Sequence, residues 1–133
     1  PPRSTLFPYT TLFRSMSNMT IFAWMNDWQM SARLAKLSTT YSYELIFCES
    51  LIDLPVANSQ ILMIVDIGNG QKEDLEQIQL IGNDSDIFII GYAQLINGEQ
   101  MKYFKECGCD MVLKRNKLLK NLESILKKIN NAD

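Results

Sequence analysis

The sequence predicts an α/β three-layer sandwich with a five-stranded parallel sheet in the order 2-1-3-4-5. Two observations lead there. Short apolar runs alternate with amphipathic stretches from Thr20 to the end of the chain. The run Ile61–Asp66 (ILMIVD) is apolar on both faces, as a central parallel strand is when helices cover both sides of its sheet. Right-handed crossovers then leave few strand orders, and 2-1-3-4-5 is the one expected.

The elements follow in order. Thr20–Met25 (TIFAWM) is the first strand. Asn26 or Asp27 caps a helix over Trp28–Thr40, with Met30, Leu34 and Leu37 on its inward stripe. Glu44–Cys48 (ELIFC) is the second strand, and Ser50–Ala57 is at most a short helix ended by Pro55. Ile61–Asp66 is the third strand, and Gly68-Asn69-Gly70 is the loop after it. Lys72–Ile81 is a third helix with Leu75, Ile78 and Ile81 inward, stopped by Gly82-Asn83-Asp84. Ile87–Ile90 (IFII) is the fourth strand. Asn97–Cys107 is the fourth helix, with Gly108 as its C′ residue. Met111–Leu113 is a short fifth strand. Asn116–Ile129 is the last helix, its stripe made of Leu118, Leu122, Ile125, Leu126 and Ile129.

This pattern is flavodoxin-like. In such folds ligands and chemistry sit at the carboxyl ends of the strands. The site is therefore expected at Asn26–Asp27, Asp66–Gly70, Gly91–Gln94 and Lys114–Asn116.

Composition narrows the function classes. The formal charge is −2, and it becomes −4 when Arg3 and Arg14 of the first fifteen residues are set aside. A mildly acidic chain argues against nonspecific nucleic-acid binding, which rests on phosphate neutralisation. The C-terminal lysines (Lys114, Lys117, Lys120, Lys127, Lys128) read as a solvated helix face. The apolar runs are too short to span a bilayer, so no membrane role and a cytoplasmic location are expected. There is no histidine, which removes His-based triads and His phosphotransfer from this chain. The three cysteines, Cys48, Cys107 and Cys109, are too few for a zinc site without histidine and read as small buried hydrophobes. No nucleophile–base pair is visible, and Gly68-Asn69-Gly70 is too short for a phosphate cradle. A small α/β enzyme or nucleotide-binding domain is therefore the weakest reading, and the expectation is that the chain is not an enzyme.

Residues 1–15 (PPRSTLFPYTTLFRS) carry no acidic residue, and their near-repeat matches nothing later in the chain. They resemble a translated sequencing adapter. The expected division is a non-native or disordered leader over 1–15, with Met16 as the start, and one domain over 16–130.

Asp66 at the end of ILMIVD, together with GCDMVLKR (108–115), carries a family resemblance. Receivers of response regulators (CheY-like) place a phosphoacceptor aspartate at the end of the middle strand and a run similar to GCDMVLKR into the fifth. GYAQLI (91–96) and ECGCDMVLKRN (106–116) are closer still to a divergent, pseudo-receiver group. The resemblance covers essentially all of Met16–Ile129. It makes Asp66 the phosphoacceptor equivalent and gives Met25, Asn26, Asp27, Gly91, Tyr92, Lys114 and Arg115 as the remaining site equivalents.

The departures are as informative. The family's Mg²⁺-binding acidic pair aligns with Met25 and Asn26, with Asp27 one step beyond. Its hydroxyl after the fourth strand aligns with Gly91, followed by Tyr92. Its lysine aligns with Arg115, or with Lys114 after a one-residue slip, and its proline with Asn116. Mg²⁺ could be held only by Asp27 and Asp66, and weakly, so no cofactor is expected. Asp27 is the more natural helix N-cap. Arg115 could be a fixed counter-ion to Asp66, or a surface residue. Tyr92 could gate a partner surface, or lie as a lid over the strand end. Trp28 could be an exposed contact residue.

The resemblance implies a signalling module acting through a protein partner, with phosphorylation weak or absent and output in trans. The alternative is a working phosphoacceptor charged at Asp66 by a histidine kinase. The partner face of the family is helix 4, strand 5 and helix 5, on or near which Lys102, Tyr103 and Lys117 would lie.

Overall fold

The computed structural model describes residues 20–49, 60–69, 72–81 and 87–130. The five apolar runs form β1 (Thr20–Trp24), β2 (Glu44–Phe47), β3 (Ile61–Asp66), β4 (Ile87–Ala93) and β5 (Met111–Lys114). All pairings are parallel, and the order is β2-β1-β3-β4-β5, as expected.

Alternation along each strand sends successive side chains to opposite faces, and each face is covered by a helical layer. On one face, Ile21, Leu62, Ile64 and Ile90 pack with Met30, Leu34 and Leu37 of α1 (Trp28–Tyr41). Leu118, Leu122, Leu126 and Ile129 of α4 (Arg115–Asn130) complete that layer. On the other, Phe22, Met63, Val65 and Ile89 pack with Ile78 of α2 (Lys72–Ile81). Met101 and Phe104 of α3 (Gly98–Glu106), the fourth helix of the sequence reading, join them. β3 is buried almost throughout, which is why its sequence has no polar alternation.

The helix ends are set by local chemistry. Asn97 and Gln100 form a reciprocal capping box at the start of α3. At its end Cys109 N–H donates to Phe104 O and Gly108 N–H to Lys105 O, a Schellman closure. It requires a left-handed residue, and Gly108 has φ 126°. Asp110 then fastens β5 to β4. Its amide donates to Ile89 O, and its carboxylate accepts from Ile89 N–H, both at 2.8 Å.

Several boundaries differ from expectation. β4 runs on to Ala93, so Gly91 and Tyr92 are strand residues rather than loop residues. They stay in the sheet because β3 and β5 pair with them from either side. β5 includes Lys114, and the last helix starts at Arg115 instead of Asn116. A 3-10 turn over Ile67–Asn69 follows β3. Ser50–Ala57, Gly70, Gly82-Asn83-Asp84, the Leu75 side chain and residues 1–15 lie outside the described residues. Among those described, no helix is long and apolar enough to cross a membrane.

Candidate functional site

The parallel strands bring their carboxyl ends to one rim. There a cleft of about 430 Å³ opens between the ends of β1, β3, β4 and β5. Asn26, Asp27, Asp66, Tyr92 and Arg115 line it, with Trp28 and Leu95 among its outer residues. Gly68, Ala93 and Gln94 of the expected strand-end stretches line it too, whereas the site equivalents Met25, Gly91 and Lys114 are not among its described lining residues. Met25 is half-buried against the α1/α4 layer, and Lys114 is an exposed strand residue paired with Ala93. Asp66 also borders a neighbouring cleft with Trp24, Phe47 and Cys48.

Asp27 is the centre of the arrangement. Its backbone is extended and its Oδ1 accepts from Met30 N–H at 3.1 Å, so it is the N-cap of α1. Arg115 donates from Nε to Asp27 Oδ2 at 2.8 Å and from Nη2 to Oδ1 at 3.1 Å. The Tyr92 hydroxyl donates to Oδ2 at 3.1 Å. Arg115 Nη2 also reaches Gln29 Oε1 at 2.8 Å, a contact no sequence pattern signals. Arg115 is thus a fixed counter-ion to Asp27, and the field of Asp66 also raises its pKa. The first residue of α4 can reach the first residue before α1 because those two helices cover the same face of the sheet.

The electrostatics follow from these contacts. The Arg115 guanidinium holds the Asp27 carboxyl below its ordinary 3.8; burial opposes this, and the Met30 amide and Tyr92 hydroxyl reinforce it. Asp27 in turn raises Arg115. Burial pushes the Tyr92 phenol far up, and the fields of Asp66 and Asp27 add to the effect. Tyr92 is a core residue, 1% exposed, whose hydroxyl reaches the cleft at Asp27.

The family resemblance aligns Gly91 with the receiver hydroxyl. A Cβ there would lie 3.1 Å from Cys109 Sγ and 3.2 Å from Ile67 Cγ2, both on buried residues. The space of the missing side chain is filled by packing. Cys109 is a small core residue as expected, and burial pushes its thiol up to about 12, so it is a neutral thiol at neutral pH. Cys48 and Cys107 are only half-buried.

The donor set does not fit Mg²⁺. That ion takes oxygen ligands in near-octahedral geometry. The aligned acidic positions hold Met25 and Asn26, and both oxygens of Asp27 face the guanidinium. Among the described residues no cluster of three or more potential ligands is placed for a metal.

No protein-family model matches this sequence, and no curated protein does. Solved structures do match. A response regulator from Thermotoga maritima superimposes with TM-score 0.66 at 16% identity, covering 84% of this chain and 97% of that one. A CheY-like response regulator from Mesorhizobium loti gives 0.64 at 15%, covering 86% and 100%. A putative pilus assembly-related protein from Burkholderia pseudomallei gives 0.64 at 14%, covering 86% and 90%. At these identities the likeness shows the fold, which is the CheY-like receiver fold.

Proposed function

We propose that this chain is a receiver-type signalling module that works by protein–protein contact, with phosphorylation of Asp66 weak or absent. The observation that carries the reading is the two-point contact of Arg115 on Asp27. Phosphoryl transfer is positioning plus neutralisation of negative charge. In the receiver pattern a metal held by first-loop carboxylates and a lysine after the fifth strand supply that neutralisation. Here the cation in the lysine position is spent on the first-loop carboxylate. The hydroxyl position is Gly91, closed by Cys109 and Ile67. The same fold occurs in response regulators and in a protein described as pilus assembly-related, so the site, not the fold, decides between activities. The partner face is α3–β5–α4, on which Lys102, Tyr103 and Lys117 are exposed. The module acts in the cytoplasm.

One observation favours the second reading, a phosphoacceptor served by a histidine kinase. Asp66 ends β3 and lines the cleft, and the resemblance makes it the phosphoacceptor equivalent. Amide NMR with Mg²⁺ and then beryllofluoride separates the two. No response in a folded sample supports the pseudo-receiver. Shifts centred on Asp66 that spread into α3 establish the phosphoacceptor.

A further inference from the structure

α1 and α4 lie side by side on one face of the sheet. Arg115 on Asp27 ties them at the rim. They are tied again further along, where the Tyr41 hydroxyl donates to Glu123 Oε2 and the Lys127 ammonium stands 5.2 Å over the Tyr41 ring. The charge on this pair is almost all of one sign. α1 carries Arg33 and Lys36 and no acidic residue. α4 carries Arg115, Lys117, Lys120, Lys127 and Lys128 against Glu123 alone. The two helices hold a formal +6, which leaves −8 on the remainder of a chain whose net charge is −2.

The surplus is real after the ion pairs are counted. Arg115 is taken up by Asp27, and Lys127 lies 4.0 Å from Glu123. Arg33, Lys36 and Lys120 have no ion-pair partner among the described residues. Solvated helices ordinarily interleave the two signs. Complementing the helix dipole accounts for Lys127 and Lys128 in the last turn of α4, but not for Arg33, Lys36 and Lys120, which lie mid-helix. These cations also converge. The Tyr41 hydroxyl holds the Glu123 carboxyl below its ordinary value, burial opposes this, and the fields of Lys127, Arg33 and Lys36 add to it. Lys120 precedes Glu123 by three residues and so stands beside it on α4.

We propose that the seam between α1 and α4, marked by Arg33, Lys36, Lys120 and Lys127, docks an acidic segment of a partner protein, with carboxylates spread along both helices. Lys36, Lys120 and Lys127 are exposed and Arg33 half-buried, so their charges are open to such a segment. Size favours a short segment over a nucleic acid or an anionic membrane. Those surfaces are larger than the domain and also meet the acidic remainder of the chain. A short segment covers the seam alone, and charges more than about 8–10 Å away from it are screened. The seam uses the edge of α4 that faces α1, not its β5 side, and rests on the reading that the module works by protein contact.

The test is an amide NMR titration of the full chain with a blocked hexaglutamate peptide, its hexaglutamine analogue, a short DNA duplex and phosphatidylserine vesicles. Hexaglutamate is expected to bind at low salt with a Kd of about 1 mM, shifting the amides of Arg33, Lys36, Lys120 and Ser124. At about 0.3 M salt it should bind at least about fivefold more weakly. Lys36→Gln combined with Lys120→Gln, both surface changes, should weaken it at least about threefold, in a protein whose spectrum elsewhere shows it folded. Lys102→Gln on α3 should change nothing. Equal binding of hexaglutamine, shifts centred on another surface, indifference to the double variant, or no shifts at all overturn the proposal. DNA or vesicles bound at the seam as tightly as the peptide overturn the protein-segment assignment. A beryllofluoride response at Asp66 is a separate outcome that defeats the pseudo-receiver reading instead.

Discussion

Arg115 and Asp27, 88 positions apart in the chain, meet as a fork on a carboxylate at 2.8 and 3.1 Å. The contact joins the start of α4 to the N-cap of α1, so one carboxylate both caps a helix and anchors a second one. Hydrogen bonds to charged groups contribute about 1.5–3 kcal/mol each way they are measured. The side chains are only 23% and 11% exposed, which limits solvent screening. Arg115→Met is therefore expected to lower unfolding stability by about 2 kcal/mol, read from urea midpoints. Arg115→Lys should recover less than half, because an ammonium cannot span both oxygens. A methionine variant as stable as the parent would show the pair to be inert.

Acid should weaken the same contact. Asp27 has a depressed folded-state pKa, so it binds protons more weakly folded than unfolded. Its contribution is fully present above its unfolded value and is lost as pH falls through the lower folded value. The stability gap between the parent and Asp27→Asn should then be largest near neutrality. It should narrow from about pH 5 downward. Asparagine keeps a capping oxygen, so the gap reports the ion pair rather than the cap. Urea titrations at stepped pH values check this, and parallel curves would contradict it.

The strand order was legible because ILMIVD, IFII and TIFAWM are apolar enough to be sheet, and amphipathic stripes separate them. Asp27 was legible as a cap because it immediately precedes that stripe. The end of β4 was not, since Gly91 looks like a loop residue until its pairing with Val65 and Val112 is known. The partner of Arg115 was not legible either. Local spacing says nothing about a contact made between helices at opposite ends of the chain. The sequence offered Asp66 as a partner, because it carried the family resemblance, or a surface position. The geometry of α1 and α4 on one face favours Asp27.

The most family-like segment, GCDMVLKR, owes much of its pattern to structure. Gly108 closes α3 at φ 126°, where a Cβ is strained, and Asp110 holds the amide of Ile89. Gly108→Ala is expected to cost about 1–3 kcal/mol. Asp110→Ala should cost about 1–3 kcal/mol by leaving the Ile89 amide without its side-chain acceptor. Thermal or urea unfolding measures both. A neutral Gly108→Ala would mean the helix end can relax.

Gly91 permits the sharpest test of why the receiver hydroxyl is missing. Serine there would place its Cβ 3.1 Å from Cys109 Sγ and 3.2 Å from Ile67 Cγ2, so each neighbour would have to give by a few tenths of an ångström. Both neighbours are buried, so neither can move into solvent. Gly91→Ser is expected to destabilise by about 1–3 kcal/mol, the usual range for overpacking. Cys109→Ala removes the nearer obstacle. If the clash is the cause, the double variant should cost less than the two single changes combined, with a coupling of at least about 0.5 kcal/mol. Strict additivity would show that Cys109 does not close the position. Even with the hydroxyl accommodated, beryllofluoride should still give no response, because Arg115 remains on Asp27. Weakening that pair as well, with Arg115→Lys, is the step expected to bring any response at Asp66 into view.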